Sequence, residues 1–120
     1  MMVVDSNPLL RLILNDNKEQ HDKVVELLRK EEVLVIAQVI FEIEYVLRKV
    51  YGISKEKICD CFDRLLMTKK IVIEEKQVLL VAMVLFREKN VDLVDAYLWV
   101  RAKELGTIVF TFDKDFNKFN

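Results

Sequence analysis

Apolar positions along this chain follow two different periods. Four short runs, "MMVV" (1–4), "VLVIA" (33–37), "IVIE" (71–74) and "TIVFTF" (107–112), are dense in β-branched or other apolar residues and predict buried strands. Between them apolar residues recur at helical spacing, as Val24, Leu27 and Leu28 do on one face of 18–30. The first helix is predicted to open at Ser6-Asn7-Pro8, with Asn7 as N-cap and Pro8 in the first helical position, and to run on through "LLRLILND". Further helices are predicted over 18–30, over 39–51 up to Gly52, from a Ser54 cap to about Thr68, over 76–89, and over 92–104, ending near Gly106. Lys57 stands where a capping box after Ser54 would want Glu or Gln, so that signal is partial.

The resulting order is β-α-α-β-α-α-β-α-α-β with a short tail. Strands joined by helical crossovers imply an α/β fold with a central parallel sheet and helices on both faces. In such sheets sites form outside the carboxyl ends of the strands. Asp5 follows the first strand and Asp113 the last, so both are expected at that edge.

Composition narrows the class. A length of 120 residues predicts a single domain over 1–120, and 52% apolar residues are enough for a core. Lys plus Arg number 19 against 20 for Asp plus Glu. Global charge therefore does not mark a nucleic-acid binder, although a local basic rim beside an acidic centre remains compatible with it. No apolar run approaches the ~20 residues of a membrane span, and no signal-peptide pattern opens the chain. Cys59 and Cys61 would point roughly 200° apart on a helix, and there is one histidine, so a zinc site is not expected. Free thiols in a reducing, cytoplasmic setting are the plain expectation.

Two more acids complete a candidate constellation. Glu42 lies in "QVIFEIEYVL", on the helix after strand two. Asp95 lies near the start of a helix among Leu93, Val94, Leu98 and Val100, where a buried charge without a partner costs several kcal/mol. Four separated carboxylates converging on one point would suit Mg²⁺ or Mn²⁺, hard cations that prefer oxygen ligands. Such an ion polarises a phosphoryl oxygen and lowers the pKa of a bound water. Without it the four would repel one another, and some would take up protons. Twenty acidic residues make chance pairings easy, so surface carboxylates and helix caps stay open on pattern alone.

At this point the sequence resembles a family. "VVDSNPLLRLILND" looks like the opening of PIN-domain ribonucleases, whose first strand ends in Asp-(Thr/Ser)-Asn. "VIFEIEYVLRKVYGIS" is similar to their second motif, "NVDLVDAYLWVRAKELG" to their third, and "TIVFTFDKDFNKF" to their closing one. The match covers essentially the whole chain in order. The VapC-like toxins of toxin–antitoxin pairs are the subgroup it most resembles. The resemblance implies a Rossmann-like α/β/α sandwich and a Mg²⁺- or Mn²⁺-dependent endoribonuclease. It places Asp5, Glu42, Asp95 and Asp113 in the four acidic positions, as metal ligands and catalytic groups. Ser6 or Asn7 takes the polar position beside the first aspartate. It also implies a homodimer, an RNA substrate and a small antitoxin partner. Pro8 departs from the aliphatic residue commoner there.

Plainer roles compete for the residues around these. Asp92 suits an N-cap or first-turn carboxylate and Asp115 a turn or cap, with metal duty as the alternative for each. Glu44 is expected in solvent or a salt bridge, His21 at the surface, and Trp99 in the core or a dimer interface, with base stacking as the alternative. Arg48, Lys49, Lys69 and Lys70 are either solvated or border an RNA groove. Three other functions compete with a toxin. A phospho-acceptor receiver domain wants a central aspartate after strand three, where "IVIEEK" offers only glutamates. A retired PIN-like module that only binds RNA or a partner, and an RNA-processing nuclease outside toxin–antitoxin systems, remain compatible with the sequence.

Overall fold

The structure is a computed structural model that describes residues 1–120. The chain divides into two compact units, Met1–Glu74 and Glu75–Asn120.

The first unit holds β1 (Met2–Val3), α1 (Ser6–Leu14), α2 (Lys18–Lys30), β2 (Val33–Val35), α3 (Ala37–Lys49), α4 (Lys55–Met67) and β3 (Ile71–Ile73). The strands form a parallel sheet in the order β1-β2-β3, flanked by helices. Met2 lies opposite Val33, and Val33 opposite Ile71. This is the parallel-sheet α/β fold expected from alternating strands and helical pairs. Each crossover carries two helices. α1 packs on α2 and α3, α3 on α4, and α4 on β3. Val33, Val35, Ile40, Ile43, Leu47, Ile58 and Phe62 are almost wholly buried and fill the core.

The helix pattern is close to that expected, with one correction at the start. Asp5, not Asn7, is the N-cap of α1, because its Oδ1 already accepts the Ser6 N–H at 2.8 Å. Pro8 consequently sits third in the helix rather than first. It fits there because the first four N–H groups of a helix have no acceptor within it. Asn17 and Ser54 cap α2 and α4 through Gln20 and Lys57 N–H groups.

The second unit holds α5 (Lys76–Glu88), α6 (Leu93–Glu104) and a short 3-10 helix, Lys114–Phe119. α5 packs on α6, and α6 on the 3-10 helix. Trp99 stacks on Phe119 with centroids 5.2 Å apart, and Lys103 Nζ lies 4.4 Å from the Trp99 ring centre. The final strand expected at 107–112 is not formed. Three strands are present, and Ile108, Phe110 and Phe112 are exposed. β-Branched and aromatic residues favour an extended backbone, but a strand also needs a hydrogen-bonded neighbour, and this segment has none.

Candidate active site

The first unit supplies two of the expected acids. Val4 is the one buried residue of the β1 run, whose Met2 and Val3 are exposed where a buried strand was expected, and its N–H still donates to the Leu34 carbonyl. Asp5 follows with an extended backbone at the carboxyl end of the strand, and α1 begins at the next residue. Ser6 is buried at 5% exposure, and its hydroxyl donates to Glu42 Oε1 at 2.9 Å. Glu42 projects from the second turn of α3, the helix that leaves the carboxyl end of β2. The first two motifs thus meet through Ser6. A hydroxyl is a neutral donor, so it orients the Glu42 carboxylate while leaving its charge and second oxygen available. Asp5, Asn7 and Glu42 are exposed.

The second unit supplies the other acids. Asp92 takes the N-cap position of α6 but makes no side-chain cap bond. Asp95 stands in the first turn of α6, half-buried, with buried Leu93 and Ala96 on either side of its turn. Burial pushes the Asp95 carboxyl above its ordinary range, and the nearby charges of Asp92, Asp113 and Asp115 add to the effect. Asp113 is the N-cap of the 3-10 helix, and its Oδ1 accepts the Asp115 N–H at 2.9 Å. Its own N–H donates to Thr111 Oγ1. Asp115 Oδ1 pairs with Lys118 Nζ at 3.3 Å, so its charge is partly answered. Asp92, Asp95 and Asp113 make no ion pair with a cation of the chain.

The donor chemistry decides which ion these residues suit. All four expected acids offer hard carboxylate oxygens, and three aspartates around Asp95 already raise its affinity for positive charge. Such donors fit Mg²⁺ or Mn²⁺. Elsewhere, His21 Nδ1 lies 3.5 Å from Asp22, and Cys59 is buried in the core. No three His, Cys, Asp or Glu side chains stand together as a group able to hold a metal ion.

Other side chains have plainer employment. Glu44 is buried at 6% exposure, and its Oε2 accepts from Arg48 Nε at 2.7 Å. That ion pair was one of the two expectations for Glu44, and it draws Arg48 away from a purely solvated role. His21 is half-buried rather than fully at the surface. Trp99 packs within its own unit against Phe119. Lys49 and Lys69 are exposed, and Lys70 is half-exposed.

Two arrangements had no signal in the sequence. Glu75 has φ +53°, an uncommon value for a residue other than glycine, and its carboxylate accepts from the Tyr97 hydroxyl and pairs with Arg101. Arg11 reaches Asp16 at 3.0 Å and the Tyr51 hydroxyl at 3.3 Å. The Glu75–Tyr97 and Arg11–Tyr51 contacts join residues 22 and 40 positions apart, which local patterns do not report.

The family model of the PIN domain matches residues 2–120. No curated protein and no solved structure matches the chain.

Proposed function

Because the chain belongs to the PIN-domain family, whose members are generally metal-dependent nucleases, we propose that it is a Mg²⁺- or Mn²⁺-dependent endoribonuclease acting as the toxin of a toxin–antitoxin pair. One observation carries the nuclease reading: the Ser6 hydroxyl ties Glu42, the acid of the second motif, to the turn that presents Asp5, the acid of the first. A structural role alone does not require an exposed glutamate on α3 to be held beside a strand-end aspartate.

In this reading Asp5, Glu42, Asp95 and Asp113 hold the divalent ion and make up the catalytic set. A bound ion supplies Lewis-acid polarisation of the phosphoryl oxygen and a more acidic attacking water. Ser6 is a positioning residue that acts through Glu42. Asp95 gains most from a cation, since burial and three neighbouring carboxylates disfavour its charge. Asp92 has no cap bond to satisfy and is free to turn toward a ligand or a water. Asn7 and Asp115 are supporting residues.

RNA is proposed as substrate through the family. A homodimer is supported by exposed apolar residues on the second unit, Val81 and Val84 on α5 and Val94 and Leu98 on α6. A small antitoxin is the proposed protein partner, and the cytoplasm the proposed location. No helix is long and apolar enough to cross a membrane.

The test is cleavage of a labelled single-stranded RNA in Mg²⁺ or Mn²⁺, with EDTA and Asp5→Asn as controls. Cleavage lost in both controls supports the reading. Cleavage that persists in Asp5→Asn removes Asp5 from the site. If the wild type neither cuts RNA nor binds Mn²⁺, the chain is a module without activity.

A further inference from the structure

Between α1 and α2 the first unit leaves a cavity of about 270 Å³ lined by Asn7, Pro8, Arg11, Gln20, Lys23 and Val24. The spacing explains why these six meet. Residues 7, 8 and 11 share one face of α1, and 20, 23 and 24 share one face of α2. Pro8 and the buried Val24 give the cavity its apolar part. The rest is two cations and two amides. No carboxylate lines it, in a chain with 20 acidic residues.

The acids nearby leave the cations usable. Lys23 pairs with Glu19 at 3.5 Å, but both side chains are at least three-quarters exposed, and such a pair is readily exchanged for a better one. Arg11 is held by Asp16 and Tyr51 through its terminal nitrogens. Its Nε is buried and has no hydrogen-bond partner. A buried donor left without an acceptor is unfavourable, so the guanidinium gains by turning onto an oxyanion in the cavity.

Position names the anion. Asn7 is two residues beyond Asp5, and Arg11 lies one helical turn further, about 6 Å along α1. A sugar–phosphate backbone that passes Asp5 and leaves along α1 brings its next phosphate over this cavity. We propose that Asn7, Arg11, Gln20 and Lys23 form a subsite for the phosphodiester next to the one that is cut. Arg11 and Lys23 supply charge, and Asn7 and Gln20 supply amide donors. This inference rests on the nuclease reading, which it extends from the scissile bond to its neighbour.

The experiment measures binding of a labelled single-stranded RNA by fluorescence anisotropy, in EDTA, across a salt series. Cleavage in Mn²⁺ is followed in parallel. One phosphate contact on a single strand is worth a salt slope of about 0.7, or about fivefold in affinity at 0.1 M salt. Lys23→Ala is expected to weaken binding by about that factor and to flatten the slope by about that amount. Lys23→Arg is expected to retain the slope. Lys57→Ala, an exposed lysine on α4, is expected to bind as the wild type does. Unchanged binding by Lys23→Ala, or an equal loss in Lys57→Ala, overturns the subsite even if the wild type cuts RNA. A wild type that binds RNA with these effects but neither cuts it nor binds Mn²⁺ overturns the nuclease reading, and with it the place of this phosphate beside a cut bond, while the phosphate contact itself stands. A wild type that does not bind RNA overturns both.

Discussion

Ser6 and Glu42 stand 36 positions apart in sequence, yet the Ser6 hydroxyl donates to Glu42 Oε1 at 2.9 Å. The bond joins the residue after the strand-end aspartate to the acid on α3. Ser6 is buried, so the bond is sheltered from competing water more than a surface contact would be.

Ser6→Ala removes that donor and leaves the backbone of α1 intact. A hydrogen bond to a charged group contributes about 1.5–3 kcal/mol. RNA cleavage is expected to fall about tenfold or more, with Mn²⁺ binding weakened in titration calorimetry. If both stay at wild-type levels, Ser6 only packs, and Glu42 does not depend on it.

Asp113 has two separable duties. It caps the 3-10 helix through the Asp115 N–H, and it is a proposed ligand. Asn caps about as well as Asp but carries no charge. Asp113→Asn is expected to keep the protection of the Asp115 amide in hydrogen exchange and to lose cleavage. Asp113→Ala is expected to lose both. Full cleavage by the Asn variant would confine Asp113 to capping.

What the sequence revealed follows from how local each feature is. The helix over 18–30 has its own periodicity, and Ser54 its own cap bond, so both were legible. The start of α1 pointed to Asn7 as its cap, two residues late. Asp5 takes the role because the strand ends there, which fixes the backbone that the cap needs. The run 107–112 has strand composition, but pairing belongs to two segments at once and is not written in one. The burial of Glu44 was equally hidden, although Arg48 one turn later was a visible partner. Of the candidate site, the identities of the acids and the strand-end placement of Asp5 were legible. The Ser6 link and the crowding around Asp95 were not, since both are contacts between distant positions.

Glu44 and Arg48 give a stability test that sets Glu44 apart from Glu42. Glu44 is buried, whereas Arg48 keeps 39% of its side chain exposed. Arg48→Met leaves a carboxylate inside without its partner and is expected to cost about 2–3 kcal/mol in urea unfolding. Glu44→Gln leaves an arginine that water can reach and is expected to cost less, about 1 kcal/mol. The reverse order would mean that Glu44 is not the buried member of the pair in solution.

Asp95 ties stability to function in opposite directions. Its carboxyl is raised above the ordinary value of 3.8, first by burial and then by Asp92, Asp113 and Asp115. The folded chain therefore binds this proton more tightly than the unfolded chain does. Linkage then makes the contribution of Asp95 most favourable when it is protonated, and that contribution is lost as pH rises from about the ordinary value through the raised one. Above that window the ionised carboxylate is unfavourable, so Asp95→Asn is expected to raise Tm there while abolishing cleavage. The difference from wild type should shrink as pH falls through the same window, where the wild type takes up its proton. A divalent cation should supply the missing charge instead, raising the Tm of the wild type with concentration and leaving the variant nearly unmoved. Calorimetric scans at several pH values, with and without Mn²⁺, read all three effects. An Asp95→Asn protein that melts below the wild type at a pH above that window would show that the carboxylate is held by a favourable contact rather than crowded by its neighbours.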